Sequence, residues 1–100
     1  MIVVNAVVKS TPEHIAALQE AIGTMEVASR AEPGCDDYTF SVELNNPGTL
    51  RITEKWHSLE ALMEHMNTPH MAQFQQAMGA HPPASMDLKF YEVKEIYPFQ

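Results

Sequence analysis

Two histidines, His65 and His70, flank a helix–helix junction in the stretch Thr53-Glu54-Lys55-Trp56-His57-Ser58-Leu59-Glu60-Ala61-Leu62-Met63-Glu64-His65-Met66-Asn67-Thr68-Pro69-His70-Met71. Imidazole is the side chain best suited to moving a proton near neutral pH. His65 lies on a helix edge beside Leu62 and Met66, where it can point inward as a general base. It can equally donate to a backbone carbonyl in a packed interface. His70 falls in the first turn after Thr68, where helix N-terminal amides disfavour an imidazolium and favour anionic ligands. Its other role is to tie the helix break together. Asn5, the polar residue in the middle of an apolar run, can orient a substrate oxygen or satisfy strand or dimer hydrogen bonds. Trp56 shares a strand face with Leu50, Ile52 and Glu54, a position that favours core over a stacking wall. Glu54 on that face needs a partner if buried, and a Lys or Arg across the sheet is the expected one. Tyr38, Met66, Met71, Phe74 and Met78 read as core or pocket wall.

Other chemistries fit less well. Cys35 is followed by Asp36 and Asp37, whose charges raise a thiol pKa, so a nucleophile is not expected. His65 and His70 are five apart across a break, without the i, i+4 pairing of helical zinc ligands, so no metal site is expected. Neither a phosphate-binding glycine loop nor a dinucleotide fingerprint occurs.

The elements that position these residues follow from periodicity and caps. Ile2 to Lys9 is almost continuously apolar and β-branched, as in a strand covered on both faces. Thr11-Pro12-Glu13 supplies an N-cap, a first-turn proline and an acid. Ile15, Leu18, Ile22 and Met25 then carry a helix to about Ala31, where Glu32-Pro33-Gly34 stops it. Tyr38, Phe40, Val42 and Leu44 alternate on a second strand; Leu50, Ile52, Glu54 and Trp56 alternate on a third, with Asn45-Asn46-Pro47-Gly48 as the turn. Ser58 caps a helix with Leu59, Leu62, Met63 and Met66 as its apolar stripe. Thr68-Pro69 starts another that bears Met71, Phe74 and Met78 and stops at Gly79, and a last strand runs from about Met86 to Tyr97. The order β-α-β-β-α-β, with its second helix in two pieces, predicts a ferredoxin-like α+β fold with an antiparallel sheet and helices on one face. The other sheet face then calls for a cover, and a symmetric homodimer supplies one.

Composition narrows the partners. The 100 residues read as one domain, 1–100, and 45% hydrophobic content with four glycines is enough for a core. A net charge of −7, with six Lys and Arg spread singly, argues against nucleic acid. A single cysteine rules out an intrachain disulfide and fits a reducing compartment. The apolar run at Met1–Ala6 lacks the form of a signal peptide, and no segment approaches the roughly 20 apolar residues of a membrane span, so a cytoplasmic location is expected. Seven methionines suit an adaptable pocket for a flat apolar ligand.

Glu32-Pro33-Gly34-Cys35, Glu54-Lys55-Trp56 and His65-Met66-Asn67-Thr68-Pro69-His70-Met71, in this order and on these elements, resemble the antibiotic biosynthesis monooxygenase family over essentially the whole chain. The resemblance implies a dimeric α+β barrel with a pocket in each subunit between sheet and helices. It also implies one of several activities: quinol or anthrone oxygenation, haem degradation, or isomerisation of a small phosphorylated ketone. Fold does not choose among them. The haem-degrading branch has an Asn on strand one, where Asn5 sits. That branch also has a helical Trp and a His further along, positions that here hold His65 and Gln75. The quinol-monooxygenase branch, with its His-x-x-Thr-Pro-His, is the more similar. What this implies is oxidation of a small planar phenol, quinol or anthrone by molecular oxygen, without a cofactor. His65 would be the base, His70 and Asn5 hydrogen-bonding groups, and Trp56, Tyr38, Met66 and Phe74 the substrate wall. The alternatives are a proton-shuttling isomerase of a small hydroxyketone, or a non-catalytic dimer that binds an aromatic metabolite.

Overall fold

The computed structural model describes residues 1–99. Its elements are β1 (Ile2–Lys9), α1 (Pro12–Arg30), β2 (Cys35–Glu43), β3 (Asn46–Trp56), α2 (Leu59–Met66), α3 (Pro69–Ala80) and β4 (Ser85–Glu92). The three helices begin where side-chain caps dictate. The hydroxyls of Thr11, Ser58 and Thr68 accept from the amides of His14, Ala61 and Met71, and Pro12 and Pro69 fill first-turn positions whose N–H would be unused.

The strands form an antiparallel sheet in the order β2-β3-β1-β4, the ferredoxin-like arrangement expected from the element order. Period-two alternation decides which residues meet the helices. On β1, Ile2, Val4, Ala6 and Val8 are buried, while Asn5 and Lys9 are exposed on the opposite face. Strand pairing carries the helix-facing set across the sheet: Val4 lies opposite Glu54 and Phe90, Ala6 opposite Ile52 and Leu88, and Glu54 opposite Tyr38. The core has two parts. One gathers Ile2, Val4, Met25, Tyr38, Trp56, Leu62 and Phe74; the other gathers Ala6, Val8, Leu50 and Ile52.

The end of α1 is clamped to edge strand β2. Arg30 Nε–H donates to the Tyr38 carbonyl at 2.9 Å, and Glu26 accepts the Phe40 amide at 2.9 Å. These bonds occupy backbone groups that an edge strand would otherwise leave open.

Three details differ from the sequence reading. The β2–β3 turn falls on Leu44-Asn45, because β3 already begins at Asn46. Gly48 instead lies against the β1–α1 connection, where its carbonyl accepts the Ser10 amide at 2.8 Å. Strand β4 stops at Glu92 rather than near Tyr97. Val93 makes a last bond to the Met1 carbonyl, and no pairing continues among the described residues. In this chain β1 is covered on one face rather than two: Val3 and Val7 are only half-buried.

Candidate active site

The sheet and the two short helices leave a cavity of about 220 Å³ on the helix-facing side. Ala6, Tyr38, Ile52 and Glu54 form its floor. Leu62 and Met66 of α2, with Met71, Phe74, Gln75 and Met78 of α3, form one wall; Met86, Leu88 and Phe90 of β4 form the other. The wall is flexible and apolar, rich in thioethers and aromatic rings. Pockets for drug-sized ligands run roughly 300–1,000 Å³, so this one suits a small flat molecule.

Glu54 is the acidic group on this surface among the described residues. It is 8% exposed, and its Oε1 accepts the Trp56 indole N–H at 2.9 Å. The expected Lys or Arg across the sheet is absent from its surroundings; an indole two residues along the same strand face takes that place. A neutral donor compensates only part of the lost hydration. Burial therefore pushes the Glu54 carboxyl up to about 7, with the Trp56 bond opposing the shift and the charge of Glu32 adding to it. A carboxylate poised near neutrality at an apolar pocket is suited to taking a proton. Tyr38, 2% exposed, is held well above the usual tyrosine range by burial first and then by Glu54, so it presents a neutral phenol.

The two histidines stand elsewhere. His65 is fully buried, its ring packed against Trp56 at 4.5 Å and Tyr38 at 5.2 Å between centroids. Its Nδ1 lies 2.6 Å from Glu32 Oε2, and the same oxygen lies 2.8 Å from His70 Nε2. An ionised carboxylate only accepts, so the geometry assigns Nδ1–H to His65 and Nε2–H to His70. Burial lowers the His65 pKa, against the pull of Glu32. His70 also lines a separate groove of about 340 Å³ between α1 and α3, beside Glu20 and Gln73.

Local sequence explains how Glu32 arrives at this position. The α1–β2 turn is closed by Glu32 N–H to the Ser29 carbonyl and Cys35 N–H to the Glu32 carbonyl, both at 3.0 Å. Gly34 lets that turn press on α2, because a Cβ there would overlap the methyl group of Ala61.

Tyr38, Met66 and Phe74 thus meet at the cavity, as the sequence reading grouped them. His65, His70 and Asn5 do not line it. Asn5 is an odd-numbered residue on a strand whose even-numbered residues face the helices, so it lies on the far side of the sheet. Trp56 supports the cavity through Glu54 rather than as a wall. Glu32 is the residue that sequence reasoning missed, because Pro33-Gly34 beside it reads as a helix stop. The five-residue spacing of the two histidines gave no sign of their shared partner, which lies 33 residues before His65.

Fold and cavity define a small ferredoxin-like α+β protein with an apolar, carboxylate-bearing site between its sheet and helices. The chain belongs to the antibiotic biosynthesis monooxygenase family, which its residues 1–77 match. It is similar to the candidate monooxygenase Rv0793 of Mycobacterium tuberculosis, at 32% identity over 68% of this chain and 66% of that protein. An uncharacterised protein of Synechocystis, sll1783, is 28% identical over 67% of this chain, a match that spans 46% of its own length. Among solved structures, a candidate antibiotic biosynthesis monooxygenase from Deinococcus radiodurans superposes with a TM-score of 0.88 at 29% identity, covering 97% of this chain and 96% of its own. The structure of Rv0793 superposes with a TM-score of 0.84 at 24% identity, covering 95% and 96%.

Proposed function

We propose that this protein is a cofactor-independent monooxygenase that oxidises a small planar phenol, quinol or anthrone-type substrate with molecular oxygen, and that Glu54, in place of His65, takes the substrate proton. The observation that carries this reading is Glu54 itself, a carboxylate raised to about 7 on the floor of an apolar cavity. Such a group removes a proton from a weakly acidic hydroxyl or benzylic carbon at neutral pH. The resulting phenolate or carbanion is electron-rich enough to reduce oxygen directly. For an anthrone-type methylene, one oxygen atom becomes the new carbonyl. The other leaves as water with the two hydrogens, so no external reductant is required. Tyr38 borders the same space as a neutral phenol. The cavity lining includes no Lys or Arg among the described residues, which favours uncharged substrates over phosphorylated ketones.

Homodimerisation is part of the proposal. Met86, Leu88 and Phe90 of edge strand β4 and Ile96, Tyr97 and Phe99 beyond it are exposed, an apolar stretch that a second copy would cover. A cytoplasmic location belongs to the proposal as well; no helix among the described residues is long and apolar enough to cross a membrane.

The test is oxygen uptake by chelator-treated protein with a panel of naphthoquinols and anthrones, against the spontaneous rate. Acceleration with an oxygenated product, abolished in Glu54→Gln, is the expected outcome. Isomerised product without oxygen uptake, or thermal stabilisation by a ligand that stays unchanged, would replace the oxygenase reading.

A further inference from the structure

Outside the cavity, Glu32, His65 and His70 bring together donors from three elements. Glu32 Oε2, His65 Nδ1 and His70 Nε2 all lie within 4.8 Å of one another. We propose that this cluster is a binding site for a divalent first-row transition ion such as zinc, one that locks the α1–β2 turn to α2 and α3. Two imidazoles and one carboxylate form a donor set that zinc and its neighbours accept, with further positions left to water.

Four observations support the site. First, the donors are held in place before any ion arrives. His65 is fixed by Trp56 and Tyr38, His70 by the capped first turn of α3, and Glu32 by a turn that Gly34 allows to approach α2. Second, both hydrogen bonds fall on a single carboxylate oxygen, at 2.6 and 2.8 Å, so the two bridging protons occupy the space an ion would take. Third, His65 Nε2 is buried without a hydrogen-bond partner among the described residues. The ring proton can sit there when Nδ1 is given to an ion, and no second bond has to break. Fourth, the cluster is reachable. His70 opens onto the α1–α3 groove, whose Glu20 adds negative potential at the mouth, on a chain of net charge −7.

The site is distinct from the cavity, where Glu54 acts without it, so the oxygenase reading and the metal site stand or fall separately. The ion's expected effect is on stability, since a ligand that joins three elements in the folded state alone raises the melting temperature.

The test is calorimetric titration of the chelator-treated full chain with Zn²⁺, together with Co²⁺ absorption and thermal melts. We expect one ion per chain, a raised melting temperature, and a Co²⁺ spectrum of nitrogen and oxygen ligands without a thiolate charge-transfer band. Glu32→Gln and His70→Ala should each weaken binding at least tenfold. His70 lies partly exposed in a first turn, so that variant is expected to fold, and melts without metal check it. His57→Ala serves as control, because His57 Nε2 and Asp36 Oδ1, 2.7 Å apart on the surface, form a rival pair. The proposal is overturned by the absence of saturable binding, by binding that survives both cluster substitutions or is lost in His57→Ala, or by a thiolate band that assigns the ion to Cys35.

Discussion

Glu54 and Glu32 are the same residue type within one small domain, and their neighbours set them to opposite tasks. Glu54 sits on the cavity floor with a single indole N–H for company, and burial raises it to about 7. Glu32 faces two imidazole donors at 2.6 and 2.8 Å and works as an anchor between a turn and two helices. The histidines follow the same logic. His65 is drawn into the core, where burial disfavours its charged form, so it is placed worse as a base than a carboxylate that borders the cavity. In the proposed reaction the proton-taking group is therefore chosen by solvation and access rather than by the near-neutral affinity of an isolated imidazole.

The largest expected effect separates the two carboxylates directly. Glu54→Gln should lower kcat by about 100-fold or more, the range of a lost general base, while the melting temperature holds or rises because a buried carboxylate is gone. Glu32→Gln should do the reverse, keeping most of kcat and losing about 1–3 kcal/mol as a buried network is left short of an acceptor. Steady-state kinetics and denaturant titration on both variants check this, and exchanged outcomes would exchange the roles.

The second effect is on stability against pH. Glu54 has its folded pKa raised, so the folded state holds a proton that the unfolded state has released between about pH 4.5 and 7. Its contribution is complete below that window and falls as pH rises through it, by on the order of 3 kcal/mol. His65 acts with the opposite sign, since its folded pKa is lowered and stability is lost as pH falls below about 6.5. The readable quantity is thus the difference between wild type and Glu54→Gln, which should shift steadily in the variant's favour from pH 4.5 to 7.5. A constant difference would mean that Glu54 ionises normally.

Next in size is Gly34→Ala. The added methyl meets Ala61, so the turn must retreat from α2, at a cost of about 1–3 kcal/mol. Glu32 would move with the turn, whereas Glu54, on β3, would not. Melting temperature should fall while kcat for the cavity reaction is largely kept.

The fold was legible because its signals are local. Thr11-Pro12, Ser58 and Thr68-Pro69 are caps whose hydroxyls accept the amides they point to, and the alternation on β2 and β3 sets the sheet. The misplaced turn at Asn45–Gly48 shows the limit of that reasoning: Pro47-Gly48 has turn chemistry, yet it is spent on a close approach to Ser10. The cavity wall was also legible, through Tyr38, Met66 and Phe74. Glu54 carried a signal, a charge on an otherwise apolar strand face, although its partner proved to be Trp56. Asn5 could have been set aside by parity with Val4 and Ala6. Glu32 could not be found in this way, because its bonds span 33 and 38 residues and only the assembled fold brings them together.

The smallest effect sharpens the assignment of Trp56. Trp56→Phe keeps an aromatic ring in a fully buried position and removes the N–H that Glu54 accepts. A hydrogen bond to a charged acceptor contributes about 1.5–3 kcal/mol, so its loss should raise the Glu54 pKa by about one unit further. The acid limb of the kcat profile would then move to higher pH. Turnover should drop about fivefold at neutral pH and recover on the alkaline side, where the carboxylate is again ionised. The smaller ring also leaves space in the core, and stability should fall by roughly 1–2 kcal/mol at every pH. The two consequences are separable. A Trp56 that only packs would lower kcat uniformly and leave the profile in place, whereas one that holds the carboxylate ready shifts the profile and lets alkali restore the rate.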